Sequence, residues 1–357
     1  AETGGGFGGK EDYPSIVAIH AALLAQRVGK PVRMIYDRHE DIAATTKRHP
    51  AVMRCRTGVD AEGRLIAQDV EVVMDGGAYT TLSPVVLSRG LLHAGGPYEC
   101  PNVRLRGRTV RTNTPPNGAF RGFGAPQTEF AAELQVARIA EQLDLSPAEL
   151  RRRWMYREGG VTPTGQVLRE SVGSAEGLAR AVEAAEYERV RQLTRATRSV
   201  RWKQAADAGR GVSSSRVRTA SGIGIAMAWH GAGFTGSGEV HLASVAGVEL
   251  GADAIVRVLI ANTEIGQGTN TIFPMLVGDA LDIDPELVEM APVDTSIVPD
   301  SGPTVASRTA MVVGGLVIKA TQRLRTIVEE RSGGPFAETY RADAEANGAT
   351  RVDERFE

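Results

Sequence analysis

Apolar residues recur at helical spacing after Asp12. Ile16, Val17, Ile19, Ala22, Leu23 and Val28 make one stripe, with Pro14 in the first turn and Gly29 to stop it. Pro31 to Asp37 then reads as a strand. Two further strands, Val52–Val59 and Leu65–Val73, are joined by the turn Asp60-Ala61-Glu62-Gly63, and Val103–Thr112 adds another. From Thr128 to Leu143, Ala, Leu, Val and Ile at three- and four-residue spacing predict a helix. Ser146-Pro147-Ala148-Glu149 writes a capping box with proline at the first helical position, opening a second helix through Tyr156. Ser174 to Ser199 is a long polar helix, on the surface or bridging. Past Gly211 the pattern turns to strands at Gly222–Trp229, Glu239–Val245 and Ala254–Ala261, then to helices at Thr269–Leu281 and Ala306–Glu329. The order of strands before helices in each half predicts an α+β fold of two mixed domains with a ligand in the groove between them. The boundaries expected are 1–160 for the first domain, 161–210 for a helical connector and 211–357 for the second.

Composition narrows the function. A chain of 357 residues, 42% hydrophobic with net charge −2, suffices for two domains. No long basic run supplies phosphate contacts, which argues against nucleic acid as a partner; Arg151-Arg152-Arg153, in a helical context, reads as a solvated face or subunit contact. No apolar run approaches the ~18 residues of a membrane span. Cys55 and Cys100 are isolated and make no zinc or iron–sulfur spacing, as expected of small half-buried thiols in a reducing cytoplasm. With no initiating Met and a glycine loop within its first ten residues, the chain is expected to be part of a longer or split-gene product.

The glycine loop Gly4-Gly5-Gly6-Phe7-Gly8-Gly9-Lys10-Glu11 almost spells a phosphate-binding P-loop. That motif needs Ser or Thr after the lysine to hold Mg²⁺, and a carboxylate there repels a triphosphate. The alternative is a glycine-lined wall for another anionic cofactor, with Glu11 turned to a substrate. Ala119-Phe120-Arg121-Gly122-Phe123-Gly124-Ala125-Pro126-Gln127 repeats the design. Thr263-Glu264-Ile265-Gly266-Gln267-Gly268-Thr269 sets an amide between glycines, and Pro303-Thr304-Val305-Ala306-Ser307-Arg308-Thr309 is small and hydroxyl-rich. One decoy intervenes: Gly231-Ala232-Gly233-Phe234-Thr235-Gly236 satisfies G-x-G-x-x-G, but a dinucleotide site needs a helix next, and Gly238 to Leu242 reads as a strand.

In order, spacing and wording the four segments resemble the molybdenum-binding part of the xanthine dehydrogenase family of molybdenum hydroxylases, over essentially the whole chain. The resemblance implies two elongated mixed α/β domains around a molybdopterin, in the plain or the cytosine dinucleotide form. The pterin carries the molybdenum, so no side chain of this chain is a metal ligand. Gly6, Phe7, Gly8, Phe120 and Arg121 would line the molybdenum end, Gln267 the pterin edge, and Thr304, Ser307 and Thr309 the pterin and its phosphate. Phe123 and Ala306 would meet the substrate. The family's face-stacking aromatic falls near Met227, with Trp229 and Phe234 as candidates to replace it.

Hydroxylation with a water-derived oxygen builds negative charge on an electron-poor ring. The reaction calls for a fixed cation opposite the attacked carbon and an acid on the ring edge. By resemblance these catalytic positions are Arg89 and Glu11, and the pair implies a purine such as hypoxanthine or xanthine. Read alone, Glu11 would as readily cap the next helix, and Arg89 would pair with a surface carboxylate. Electrons would leave through 2Fe-2S and FAD subunits in a cytoplasmic oligomer. The resemblance also implies a glutamate base beyond Glu357 and a glutamine upstream of Gly4, so this chain alone is expected to shape the pocket without turning over. An aldehyde or N-heteroaromatic substrate, or a nucleotide-binding or inactive protein using the near-P-loop, are the other readings.

Overall fold

The computed structural model describes residues 3–195, 221–234 and 238–357. Contacts divide the chain into two units, residues 9–230 and residues 231–357 together with the segment up to Gly8. The glycine punctuation and change of element pattern in the sequence mark boundaries near 160 and 210.

In the 9–230 unit, β1 (Ala51–Val59) runs antiparallel to β2 (Leu65–Gly77), and β3 (Val103–Arg111) pairs parallel to β2. The Asp60 carboxylate closes the first connection by accepting from the N–H groups of Glu62 at 3.1 Å and Arg64 at 2.7 Å. A parallel pair needs a crossover, and α3 (Ser83–His93) lies on it. Val70, Val72 and Met74 of β2 are buried with Val86 of α3. Val136, Ile139 and Ala140 of α4 (Ala125–Gln142) are buried with Leu150 and Trp154 of α5 (Pro147–Trp154).

Several local expectations are corrected. Residues 31–37 form no strand; Asp37 and Glu40 instead make the capping box of α2 (Arg38–Ala44), each side chain accepting the other's backbone N–H. At α5 the Ser146 hydroxyl accepts from Ala148 N–H, but Glu149 turns outward to Arg152 and Arg153, and the helix stops at Trp154. Trp154 Nε1 donates to the Gly63 carbonyl at 2.8 Å, which pins that end to the β1–β2 turn. Arg151 is no part of a solvated face: it is 1% exposed and forks onto Glu133 of α4 at 2.7 and 2.8 Å. The long polar helix breaks into α6 (Ser174–Ala184) and helical residues 187–195 (α7) around Glu186, whose φ is 43°; residues 196–199 lie outside the described residues. By contrast α1 (Pro14–Val28) forms as expected and ends at left-handed Gly29, yet it buries none of its residues.

Residues 222–229 alternate in burial as a strand would but join no sheet. Met227 N–H donates to the Glu133 carboxylate at 2.9 Å and Trp229 N–H to that of Glu129 at 3.0 Å. Two acids one turn apart on α4 therefore take the place of a neighbouring strand.

The 231–357 unit is built on a four-stranded sheet of order β6-β5-β4-β7: β4 (Val245–Leu250), β5 (Val256–Leu259), β6 (Val288–Met290) and β7 (Thr350–Arg355). Val248, Val258 and Val352 are buried with Phe273 of α9 (Thr269–Leu281), Val317 and Leu324 of α10 (Gly314–Ser332), and Phe336 of α11 (Phe336–Asn347). Gly238–Leu242, expected as a strand, is a five-residue helix (α8), and the strand starts only at Val245. The G-x-G-x-x-G still makes no dinucleotide turn, because no strand leads into it from the described residues and α8 is barely one turn. Expected from Ala306, the last long helix is preceded by a π-helical turn, Thr309–Val313.

Candidate functional site

In the 9–230 unit the buried face of α3 carries Arg89, 3% exposed, whose burial holds its pKa below the usual guanidinium range. It is not the surface cation of the simpler reading. One turn on, His93 Nδ1 donates to the Arg89 carbonyl at 2.7 Å, and its ring meets those of Trp229 at 5.6 Å and His230 at 5.5 Å. Burial, and then the nearby Arg89, lower the pKa of His230.

Gly90 lets the Phe120–Gly124 loop reach this helix. A Cβ on Gly124, whose φ is 99°, would lie 2.2 Å from the Val86 carbonyl, and one on Gly90 would lie 3.3 Å from the Gly124 carbonyl. This backbone contact seats Phe123, with φ 51°, among the apolar residues of α3 and β2. Arg48 holds the start of the loop. Its guanidinium lies 4.7 Å from the Phe120 ring centroid and donates to the Arg121 carbonyl at 2.7 Å and to Gln127 Oε1 at 3.3 Å.

Asp12 ties the Glu11 segment to the same loop. Its carboxylate accepts the Ala119 N–H and lies where a Cβ on Gly118 would meet it at 2.7 Å, while its buried Oδ2 has no hydrogen-bond partner. Glu11 is pushed up to about 7, chiefly by the protein crowding its carboxyl and then by Asp12, although its outer surface meets solvent. It does not cap α1, whose N-cap is Tyr13 with no side-chain bond. Arg89, Phe123, Phe120, Arg121 and Glu11 are thus linked through one loop. Met227 belongs to the alternating segment anchored on α4 by its own N–H.

The 231–357 unit takes Gly6, Phe7 and Gly8. Gly5 N–H donates to the Ile265 carbonyl at 3.0 Å, a Cβ on Gly6 would meet Ile265 at 3.1 Å, and Phe7, with φ 51°, is 69% exposed. Gln267 braces its own turn: Oε1 accepts Ile265 N–H at 2.7 Å, and Nε2 donates to the Thr263 carbonyl at 2.9 Å and to Thr269 Oγ1 at 2.5 Å. That leaves Oε1 one lone pair for a ligand. Glu264, singled out by nothing in the sequence, accepts the N–H groups of Gly266, Gly268 and Asn270 at 2.7, 3.1 and 3.0 Å, which holds its pKa low. Thr304 Oγ1 accepts Thr263 N–H at 2.9 Å.

Ala306 and Ser307 both adopt positive φ, 53° and 60°, the strained backbone that functional turns carry. Thr309 is buried, and its Oγ1 has no hydrogen-bond partner. Gly233 N–H donates to the Ala306 carbonyl at 2.7 Å, and the next residue, Phe234, donates its N–H to Glu239 at 2.9 Å. Asp12, Arg48, His93 and His230 carry no spacing signal in the sequence, and Arg308, though inside the fourth segment, is given no role by it.

Among the described residues no group of three or more His, Cys, Asp or Glu is placed to hold a metal ion, and no helix is long and apolar enough to cross a membrane. Two family models described as molybdopterin cofactor-binding domain match, one over residues 1–155 and one over 189–354. The nicotinate dehydrogenase large molybdopterin subunit of Eubacterium barkeri is 44% identical over 195 residues, which are 54% of this chain and 45% of that protein. The xanthine dehydrogenase/oxidase of Rattus norvegicus is 32% identical over 346 residues, 93% of this chain and 24% of that one. Among solved structures, the aldehyde oxidoreductase of Desulfovibrio gigas superposes with a TM-score of 0.78 at 28% identity, over 99% of this chain and 36% of that one. The chain therefore spans less than half the length of these relatives. With both domain models matched in order along an α+β fold, the chain belongs to the xanthine dehydrogenase family of molybdenum hydroxylases and corresponds to the molybdopterin-binding part of their large subunits.

Proposed function

We propose that this chain serves a molybdenum hydroxylase acting on an electron-poor N-heteroaromatic ring, with a purine as the first reading. The observation that carries it is the buried Arg89, tied by the Gly90–Gly124 contact to Phe123, with a carboxyl of pKa about 7 at Glu11 on the same loop system.

The residues present fit the cofactor. Thr309 offers a buried hydroxyl without a partner at the start of the helical run 309–332, where an anion is favoured, and it fits a pterin phosphate. Ser307 and Thr304 would flank it, Gln267 Oε1 would meet the pterin edge, and Gly6, Phe7 and Gly8 of the same unit would line the molybdenum end; the family resemblance gives Phe120 and Arg121 of the 9–230 unit that role too. When bound, the molybdenum pterin supplies oxygen transfer and two-electron oxidation.

The chain's own contribution is electrostatic and positional. Arg89, already desolvated, presents a fixed cation to negative charge developing on the ring, so little reorganisation is needed as the charge appears. Glu11 holds a proton near neutral pH and can share it with a ring nitrogen or exocyclic oxygen. Phe123 gives the ring an aromatic edge, a contact of about 0.5–1.5 kcal/mol beyond burial. For the ring face, Trp229 or Phe234 is proposed in place of Met227, since each offers the aromatic that methionine lacks. Electron transfer to 2Fe-2S and FAD subunits, a pterin in its plain or cytosine dinucleotide form, an oligomeric assembly and a cytoplasmic location complete the proposal.

A nicotinate-type substrate is the second reading, favoured by the 44% identity to a nicotinate dehydrogenase subunit. The test is turnover by the full-length enzyme, co-produced with its partner subunits, on hypoxanthine, nicotinate and an aromatic aldehyde. Preference for hypoxanthine supports the first reading and preference for nicotinate the second. Preference for the aldehyde would contradict both.

A further inference from the structure

The 231–357 unit buries one arginine completely, and the function described so far does not use it. Arg308 is 0% exposed and sits between Ser307 and Thr309. Its Nε donates to both Glu239 oxygens, at 3.2 and 3.0 Å. Nη1 donates to the carbonyls of Ser301 at 2.9 Å and Pro303 at 3.1 Å, and Nη2 to Ser244 Oγ at 2.5 Å. Glu239, itself buried, also accepts the N–H of Phe234 at 2.9 Å. The guanidinium packs so closely under Gly302 that a Cβ there would lie 3.0 Å from Nη1.

A buried ion pair is weak evidence of stabilisation, because desolvating two charges consumes most of their attraction. This one spends its donors on loop carbonyls instead of core packing. They hold Ser301 and Pro303 on one side of the strained Ala306–Ser307 turn, while Glu239 holds Phe234 next to the Gly233–Ala306 hydrogen bond.

We propose that Arg308 and Glu239 form a positioning pair that presets the 301–309 loop and Phe234 for the molybdopterin. The inference rests on the reading that Thr304, Ser307 and Thr309 hold the pterin. Neither member touches the reacting atoms; they act through the loop, as outer residues act on a bound metal through its ligands.

The experiment uses the full-length enzyme with its partners and reads pterin and molybdenum per folded chain, the rate of cofactor loss after dilution, and the unfolding temperature of the cofactor-free form. The paired variant Arg308→Met with Glu239→Leu removes both charges together, so its cofactor-free form should unfold close to the wild-type temperature. Its cofactor loss should accelerate roughly 10–100-fold, the scale on which such supporting residues act. Arg308→Lys, which keeps the charge without the fork, should fall between the two. If the paired variant does not fold, Ser244→Ala removes one guanidinium bond with the pair intact and should speed cofactor loss roughly 2–10-fold. Wild-type retention in the paired variant, or in Ser244→Ala where the paired variant does not fold, overturns the inference. A wild-type enzyme that carries no pterin overturns the functional reading, and this inference with it.

Discussion

Glu11 and Arg89 carry the sharpest consequences because burial changes the chemistry of both. Replacing Arg89 with Met should reduce turnover of the preferred heterocycle by roughly 10²-fold or more, the scale of a transition-state charge donor. An unchanged kcat/KM would show that the cation acts only in packing. Glu11, raised from 4.5 to about 7, is protonated below neutrality and ionised above it. If its proton is used, kcat/KM falls as pH rises through about 7, and Glu11→Gln removes that limb from the profile. Glu11 was legible as the residue after the glycine loop, and Arg89 only through the family resemblance. Arg48, Asp12 and Arg308 were not: each acts through contacts with residues distant in sequence, such as Arg48 on Arg121 and Gln127. Met227 is bound to Glu133 through its backbone N–H, and Gly233, six positions on, bonds the Ala306 carbonyl.

Elements read well where one face is buried and poorly where the backbone finds partners outside a ladder. The alternation of Val70, Val72 and Met74 fixed β2, and the 3.6-residue stripe fixed α4. The same alternation over 222–229 suggested a strand, yet its N–H groups go to Glu129 and Glu133. That arrangement has a pH signature. Glu129 is raised to about 7, mainly by burial, with the Trp229 N–H opposing and Glu133 adding to the shift. A carboxyl whose folded pKa lies above its unfolded one binds more protons in the folded state in between. Its contribution to stability is therefore complete below about 4.5 and lost as pH rises to about 7. Glu129→Gln keeps an acceptor for Trp229 and should flatten the fall in unfolding temperature over that range; an unaltered slope would remove Glu129 from the account. The loop-to-helix contact makes a second prediction. Gly124→Ala places a methyl on the Val86 carbonyl and an alanine at φ 99°, with a backbone cost on the order of 1–3 kcal/mol before the clash is counted. Lower unfolding temperature together with a raised substrate KM is expected; a wild-type KM would mean that the contact does not seat Phe123.

For the whole chain, the four glycine- and hydroxyl-rich segments were enough to identify the family, because such segments specify backbone conformations that few folds need. The division into units was less visible. The break at 230/231 falls between the segment tethered to α4 and a glycine turn bonded to Ala306, and neither tether leaves a mark in composition. The central claim is that these segments hold a molybdopterin in the service of ring hydroxylation. Its most direct test is the molybdenum and pterin content of the full-length gene product, made with its partner subunits in a host that assembles the cofactor. The account predicts stoichiometric molybdenum and pterin, retained through purification. A folded protein that carries neither, while a known family member made in the same host is filled, would contradict it.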